Sequence, residues 1–268
     1  MPFFNFKKTQ LSLSSMIVTN DEKKQIARDT ISKYQAKRLE AYRKMKLNQL
    51  LGKDVLLFAA RGVTTASAFV DEAFKAAESS SEETIMGNTR QELAILLSNS
   101  ADTGDMTVVR GGVKYYCEIK SQTNTTNFGS LAAVLQELKF DVDNDQSSAH
   151  RTVTNQRIGA ALLISRSTKT IDESRVFHCD SVAKQPYSML EGFHYRYISG
   201  RAMWQWVADV DDPIELVQPL VKLDGGQVAK ARSDALSRVH QELQEKLKDL
   251  KLNDDIDSIY ELVKTTWH

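Results

Sequence analysis

Three charged residues around a glycine pair have the types and the spacing of a hydrolytic metal site. Asp105 precedes the segment MTVVRGGVKYYCEIK, which ends on Glu118 and Lys120 and gives the pattern D-x12-E-x-K. Two carboxylates can hold a divalent cation that polarises a phosphoryl group, and an ammonium beside them can orient water or stabilise negative charge. The chemistry that these residues favour is the hydrolysis of a phosphodiester bond.

The glycines determine which residues of this segment face each other. The β-branched and aromatic residues on both sides of Gly111 and Gly112 predict a β-hairpin with a two-residue turn. In that register Asp105 lies opposite Glu118, with Cβ atoms roughly 4.5–5.5 Å apart. Two carboxylates so close repel each other unless a cation lies between them. The alternative is a surface hairpin in which solvent and Lys120 relieve the repulsion.

Alternation along the second strand separates its last residues. Because side chains alternate with a period of two, Glu118 and Lys120 share one face, and Ile119 lies on the other, where an apolar side chain can pack. Whether Lys120 acts as a base or as electrostatic support is open at this stage.

The composition is that of an ordinary globular protein and narrows the function only slightly. Of 268 residues, 41% are hydrophobic and 26% are charged, and 35 basic residues balance 35 acidic ones. Cys117 and Cys179 form no C-x-x-C pair, so neither a zinc site nor a disulfide framework is indicated. The sequence has no stretch of about 18 apolar residues and no signal-peptide pattern, so we expect a cytoplasmic protein without a membrane span.

Charge is unevenly distributed along the chain. Residues 21–53 contain ten basic and four acidic side chains, whereas residues 71–105 contain eight acidic and two basic ones. Residues 150–205 are again basic, with eight bases, four acids and three histidines. An acidic centre between basic segments fits a metal-holding site beside an anionic polymer, and solvated helix faces are an equally weighted alternative.

The hydrophobic periodicity predicts helices around a small set of strands. Helices are expected at residues 21–51, 64–78, 81–98, 131–140, 201–207, 228–252 and 254–267. Besides the hairpin, strands are expected at residues 157–165, 174–179 and 195–198. The polar segment DVDNDQSS, residues 141–148, is expected to be a surface loop.

The hairpin resembles the core of the PD-(D/E)XK nucleases, a superfamily that includes many type II restriction endonucleases. Three stretches resemble the PmeII-like group of these enzymes: SSSEETIMGNTRQELA, EIKSQTNTTN and YISGRAMWQWV. Gly104 stands where the superfamily pattern has proline, which is a common departure. The resemblance covers about residues 47–207.

The resemblance implies an α/β fold with a restriction-endonuclease-like mixed β-sheet core flanked by helices. We expect a single domain, residues 1–268. Within it, residues 1–52 form an N-terminal helical arm, residues 53–210 the catalytic core and residues 211–268 the C-terminal helices.

The resemblance also assigns roles to particular residues. Asp105, Glu118 and Lys120 take the catalytic positions, and Asp105 and Glu118 hold Mg²⁺. Relatives often add a glutamate from the preceding helix. Glu92 is assigned that role, with Glu83 as the alternative and a solvated helix acid as the plain interpretation. Gln136 could face the site, although an exposed glutamine is the simpler expectation.

The polar segment after Lys120 supplies candidate DNA contacts, since short hydrogen-bonding side chains reach phosphate oxygens and base edges. The assigned residues are Ser121, Asn124, Thr125 and Asn127, and ordinary turns and caps are the alternative. A wider DNA-facing surface is expected to include His150, Arg151, Arg157, Arg166 and His178. Trp204 and Trp206 are expected in the core or an interface.

The function implied by the resemblance is that of a type II site-specific deoxyribonuclease in a restriction-modification system. It would cut double-stranded DNA with Mg²⁺ and act as a homodimer. Residues 21–51 and the C-terminal helices are the candidate interface, and a cognate DNA methyltransferase would be a genetic, not a physical, partner. The alternatives are a PD-(D/E)XK nuclease of DNA repair or of a mobile element, a non-catalytic DNA-binding protein, and a helical interaction protein whose hairpin charges are incidental.

Overall fold

The computed structural model describes residues 20–98, 106–122, 128–147, 157–213, 216 and 225–266. Within these residues a mixed five-stranded sheet has the spatial order β1-β2-β3-β5-β4. The strands are β1 (Met106–Arg110), β2 (Val113–Lys120), β3 (Arg157–Ile164), β4 (Ile171–Val176) and β5 (His194–Ser199). β2, β3 and β5 are parallel, whereas β1 and β4 are antiparallel edge strands. The predicted α/β fold with a mixed sheet flanked by helices is confirmed.

The β1–β2 hairpin has the predicted register. Gly111 and Gly112 form its turn with φ angles of 57° and 75°, a region that residues with a Cβ atom rarely adopt. Arg110 pairs with Val113 across the turn, and the ladder continues to the first residue of β1 in the same register. The two glycines therefore fix the alignment of the strands, as the sequence indicates.

Helices cover both faces of the sheet and also pack against one another. They are α1 (Asn20–Lys44), α2 (Leu47–Leu51), α3 (Val55–Ala60), α4 (Ala66–Leu97), α5 (Phe128–Ser147), α6 (Arg201–Ala208), α7 (Gly226–Asp249) and α8 (Ile256–Lys264). A 3₁₀ segment spans Val182–Leu190. None of the helices in the described part of the chain combines the length and the hydropathy needed to cross a membrane.

Helix α4 is continuous where the sequence predicts two helices, and that prediction was wrong. Three consecutive serines and Gly87 suggest a break, yet the helix runs through them for 32 residues. Phe74 in its first half is fully buried among other helices, and Leu93 in its second half is buried against the sheet. Packing at both ends keeps the weak middle segment helical.

Other predicted boundaries were also wrong. The strand expected at residues 174–179 lies at Ile171–Val176, where it pairs with β5. The helix expected at residues 21–51 is divided at Met45, whose buried side chain packs between α1 and α2. The loop expected at residues 141–148 is helical as far as Ser147, because α5 continues and buries Val142 against the sheet. A segment rich in Asp and Asn was interpreted as a loop although its single apolar residue, Val142, belongs to the core.

The buried apolar residues form three clusters. One face of the sheet packs against the second half of α4 and against α6, with Ile119 and Ile198 on the strands. The opposite face packs against α5, with Leu162 and Tyr197 on the strands. A third cluster lies among the end of α1, α2, α3, α7, α8 and the first half of α4. Helix α4 therefore belongs to two of the three cores.

A buried polar network links α1, α4 and α7. The carboxylate of Glu78 accepts hydrogen bonds from Arg232 Nε and Nη2 at 2.7 and 2.9 Å and from the hydroxyl of Tyr42. Arg38, which is 2% exposed, lies 3.7 Å from the same carboxylate. Burial raises the pKa of Glu78, but the hydrogen bonds from Arg232 and Tyr42 outweigh it, so the pKa is lowered overall. The network holds a carboxylate ionised between three helices.

Candidate active site

Glu118 and Lys120 meet at the carboxyl end of β2. The ammonium of Lys120 lies 2.7 Å from a carboxylate oxygen of Glu118, and the two side chains are 31% and 27% exposed. Ile119 between them is 7% exposed and packs on the other face of the sheet. The period of two along β2 therefore brings the acid and the base together on one face, where solvent reaches both.

Backbone hydrogen bonds fix this edge of the sheet. The N–H of Ser165 donates to the carbonyl of Lys120 at 2.9 Å, and the N–H of Gly200 donates to the carbonyl of Ile164 at 3.0 Å. Gly200 has a φ angle of 62°, and a Cβ atom there would lie 2.8 Å from the carbonyl oxygen of Lys169. The carboxyl ends of three parallel strands thus meet at one edge, which is where open α/β sheets bind their ligands.

A cavity of about 340 Å³ lies beside Glu118, between β2 and α5. Gln136, Glu137, Phe140 and Asp141 of α5 line it together with Glu118. Gln136 is half-buried and its amide donates to the sulfur of Met189 at 3.2 Å. The structure therefore places Gln136 beside Glu118, and not on an open helix surface.

A second cavity of about 480 Å³ lies at the same edge, between the end of β2 and α4. Ser121, the residue after Lys120, lines it together with Glu83, Arg90 and Arg166. Helix α4 passes close to the end of β2 at Gly87, where a Cβ atom would lie in ordinary van der Waals contact, 3.8 Å from the Cβ of Ser121. The two cavities open on opposite faces of β2, because Glu118 and Ser121 differ in parity along the strand.

Glu92 lies on the second half of α4 and is held by α1. Its carboxylate is 2.6 Å from the ammonium of Lys33 and 3.8 Å from that of Lys37. This part of α4 covers the face of the sheet opposite to Glu118. The structure thus brings Glu83, but not Glu92, to the cavity beside Ser121.

The sequence also matches a known protein family. Residues 21–222 match the family model described as type II restriction endonuclease EcoO109I, which is more than half of the chain. The chain belongs to this family. No curated protein matches the sequence.

Membership in the EcoO109I family confirms the broad prediction of a type II restriction endonuclease with the PD-(D/E)XK kind of fold. The protein is accordingly a nuclease whose substrate is DNA. The match extends from the beginning of α1 through β5 and α6, and therefore includes the hairpin and both cavities. The finer resemblance to the PmeII-like group is not addressed by this match.

In this EcoO109I-family endonuclease, four of the predicted site residues lie outside the described residues: Asp105, Asn124, Thr125 and Asn127. Their roles, and the pairing of Asp105 with Glu118, stay predictions. Glu118, Lys120 and Ser121 lie together at the carboxyl end of β2. Within the described ranges, no group of three or more His, Cys, Asp or Glu side chains is arranged to hold a metal ion.

The wider set of predicted DNA contacts is dispersed. Arg157 begins β3, at the edge of the sheet away from Lys120, whereas Arg166 follows β3 at the same edge as Lys120. The ring of His178 is 2.9 Å from the carboxylate of Glu191 on the protein surface. His150 and Arg151 lie outside the described residues.

Of the two tryptophans of α6, expected in the core or an interface, Trp204 lies in the core and Trp206 is partly buried against it. Trp204 is 6% exposed and its indole N–H donates to the carbonyl of Ser165 at 3.2 Å. The ring of Trp206 packs edge-on against Tyr115, with the ring centroids 5.2 Å apart. Both side chains thus pack against the sheet.

Two residues near the edge were missed by sequence reasoning. Glu137 lines the cavity beside Glu118, and Arg90 lines the cavity beside Ser121. Both are charged residues on helices, which a single sequence does not distinguish from solvated surface positions. The sequence signal for Arg90 was its isolation: it is one of only two bases in the acidic segment 71–105.

Proposed function

We propose that this protein hydrolyses phosphodiester bonds of double-stranded DNA at a specific sequence, in a Mg²⁺-dependent reaction, as part of a restriction-modification system. The proposal rests on the contact between Glu118 and Lys120 at the carboxyl edge of the parallel strands, in a chain of the EcoO109I family. The hairpin register supports Asp105 as the third residue of the site, since the ladder is in the predicted alignment up to Met106.

The side chains fit a hard divalent cation. Glu118 offers carboxylate oxygens at a solvent-accessible edge, and Asp105 is the proposed second ligand. Bound Mg²⁺ would polarise the phosphoryl oxygens and lower the pKa of a coordinated water. Glu92 stays the proposed additional acid, although it would have to leave Lys33 and Lys37 to reach a cation, and Glu83 stays the alternative.

Lys120 has two proposed tasks that the geometry accommodates. While it pairs with Glu118, its ammonium is held at the edge of the sheet and faces solvent. When Glu118 binds a cation, the ammonium can turn to the substrate, where it orients the attacking water or stabilises the negative charge that develops on the phosphoryl group. The same position suits a base or an electrostatic support.

Ser121, Asn124, Thr125 and Asn127 are the proposed DNA contacts, with Ser121 supported by its place beside Lys120. A recognition site with two-fold symmetry requires two active sites, so we expect a homodimer. A cognate methyltransferase would be encoded nearby and would not bind the enzyme. A closer relation to the PmeII-like group rests on the sequence resemblance alone.

The first prediction concerns cleavage itself. Purified protein incubated with phage DNA should give discrete fragments with Mg²⁺ and none with EDTA. Lys120→Ala should reduce the cleavage rate by about 10²–10³-fold, because a positioned charge at the reacting phosphate is lost. Gel electrophoresis of the digests measures both effects, and sequencing of the fragment ends gives the recognition site.

Lys114→Ala is the matched control for Lys120→Ala. Lys114 lies on the same strand and the same face, but at the opposite end, where it pairs with Asp145 at 3.2 Å. This variant should cleave like the unmodified protein. A Mg²⁺-dependent smear would indicate a nuclease of another role, and intact DNA in every lane over a broad set of substrates would contradict the proposal.

A further inference from the structure

Two arginines, the half-buried Arg90 and the exposed Arg166, line the cavity beside Ser121. Arg90 reaches it from α4 and is half-buried, and Arg166 reaches it from the end of β3. Burial lowers the pKa of Arg90, and the positive charge of Arg166 lowers it further. A guanidinium held partly out of water beside a like charge is costly unless an anion compensates for it.

The carboxylates at this cavity do not supply that compensation. Among the described residues, neither arginine forms an ion pair with an acidic side chain. Glu82 and Glu83 line the same cavity, but Glu82 already accepts a hydrogen bond from the hydroxyl of Tyr34 at 2.8 Å. The charge that lowers the pKa of Arg90, after burial, is that of Arg166. Within the described part of the chain, two cationic side chains therefore lie at the cavity without an ion pair to an acid.

The cavity is next to the proposed catalytic lysine. The N–H of Arg166 donates to the carbonyl of Ser121 at 2.9 Å, and Ser121 directly follows Lys120. Both arginines thus project near the carboxyl edge of the sheet. A guanidinium group binds phosphate oxygens through two parallel hydrogen bonds. Two guanidinium groups therefore fit a phosphodiester as their ligand better than they fit one carboxylate side chain.

We infer that Arg90 and Arg166 together bind one phosphate of the DNA backbone, next to the phosphate that is cut. The inference rests on the proposed function, and adds to it a contact that positions the strand without reading its sequence. The other side of the same edge, with Glu118 and Lys120, carries the hydrolysis. The arginines are positioning residues that align the backbone across the end of β2.

The test uses DNA binding in the absence of cleavage. Affinity of the full-length protein for a short duplex of arbitrary sequence is measured by fluorescence anisotropy in EDTA over a series of salt concentrations. Arg90→Gln and Arg166→Gln should each weaken binding about 10- to 100-fold. Each should also reduce the slope of log affinity against log salt, by at most about one, because the two arginines share one phosphate and each variant removes part of its neutralisation.

Two kinds of control make the result specific. Arg90→Lys and Arg166→Lys keep the charge but lose the double hydrogen bond, so they should weaken binding with a salt slope close to that of the unmodified protein. Arg61→Gln removes an exposed arginine at the end of α3, which packs in the helical cluster away from the sheet. This variant should change neither the affinity for DNA nor its dependence on salt. Thermal unfolding of every variant shows whether it is folded. Arg90→Gln should raise the midpoint, because it removes a half-buried positive charge near that of Arg166.

Three outcomes would overturn the inference. Unchanged affinity and salt slope in both Gln variants, in a protein that still cuts phage DNA, would remove the phosphate contact and leave the proposed function intact. Lower unfolding midpoints with an unchanged slope would show a structural role. Stabilisation by inorganic phosphate that is lost in the variants, without any change in DNA binding, would show a site for small anions and not for DNA. If the unmodified protein cuts no DNA at all, the proposed function fails separately from the binding result.

Discussion

At the scale of single residues, the geometry at the carboxyl end of the parallel strands depends on the side chains of Glu118 and Lys120 and on the lack of a side chain at Gly200. Glu118 and Lys120 form an ion pair at the end of β2. A Cβ atom at Gly200 would lie 2.8 Å from the carbonyl oxygen of Lys169 and 2.9 Å from that of Ser167, so only glycine fits there. The side chain of Ser199 also donates to the carbonyl of Lys169, at 2.8 Å. The end of β5 is therefore fixed by close backbone packing.

Gly200→Ala should destabilise the protein strongly. The new methyl group would meet two carbonyl oxygens, and the positive φ would be strained as well, for a total of about 2–4 kcal/mol. Gly62→Ala is the matched control: its φ is 87°, but nothing lies within 4 Å of the added atom. It should cost about 1 kcal/mol. Urea denaturation measures both, and equal losses would show that close packing at Gly200 contributes nothing.

Residue-level geometry was predictable only where it was local. The hairpin register and the shared face of Glu118 and Lys120 follow from two glycines and a period of two, and the structure reproduces both. The partner of Glu92 does not follow from any local pattern, because Lys33 is 59 residues away along the chain. The same holds for Arg90, whose neighbour Arg166 comes from a different element.

At the scale of elements, α1, α4 and α7 are joined by the buried Glu78 network. The carboxylate receives hydrogen bonds from Arg232 and Tyr42 and lies near Arg38. Burial and the bond to Glu78 raise the pKa of Tyr42 to about 12, so its hydroxyl stays a donor at neutral pH. The network is fully charged and fully bonded only while Glu78 is ionised.

Glu78→Gln should lower the free energy of unfolding at pH 7 by about 3 kcal/mol, because two partly buried arginines lose their carboxylate. The pKa of Glu78 is lowered in the folded protein, so its contribution is present above the unfolded value, near 4.5, and is lost as the pH falls through the folded value. The difference between the variant and the unmodified protein should therefore shrink in acid. Urea denaturation at several pH values measures it.

Glu40→Gln provides the comparison for that series. Glu40 pairs with Lys44 at 2.5 Å on the exposed surface of α1, so its replacement should leave stability unchanged at every pH. A constant difference between Glu78→Gln and the unmodified protein from neutral to acidic pH would contradict the assignment of the ionised carboxylate as the source of stability.

Element boundaries were harder to predict than element types. Strands β3 and β5 and helix α6 were expected close to where they lie, since each has a strong apolar pattern bounded by glycine or polar residues. Serines are good capping residues, so the run that ends at Ser81 predicts a helix end. Nothing in the sequence indicates that the helices expected before and after it form one continuous helix. The polar end of α5 was taken as a loop for the same reason, because only Val142 links it to the core.

At the scale of the whole molecule, the helices at both ends of the chain pack on the same core. α1 contributes Tyr42 to it, and α7 contributes Val239 and Leu243. The N-terminal arm and the C-terminal helices, expected as separate additions to the catalytic core, are in contact with each other through this cluster. Their inner faces are buried, so a dimer interface on these helices would use their outer, polar faces.

The homodimer expected from a two-fold recognition site is tested by sedimentation velocity. The protein should sediment as a dimer when bound to a duplex that contains its mapped site, because each strand then needs one active site. Binding of one protomer only, under conditions in which both strands are cut, would contradict the prediction.

Helix α4 has a mechanical consequence. At about 1.5 Å per residue a helix of this length is close to 50 Å long, and it carries Phe74 in one core and Leu93 in another. Because both ends of α4 are packed in a core, the helix moves as one body. A tilt of the cluster formed by the other helices on contact with DNA would therefore move Gly87 and Arg90 relative to the end of β2. One continuous helix thus connects the cluster of terminal helices with the end of β2.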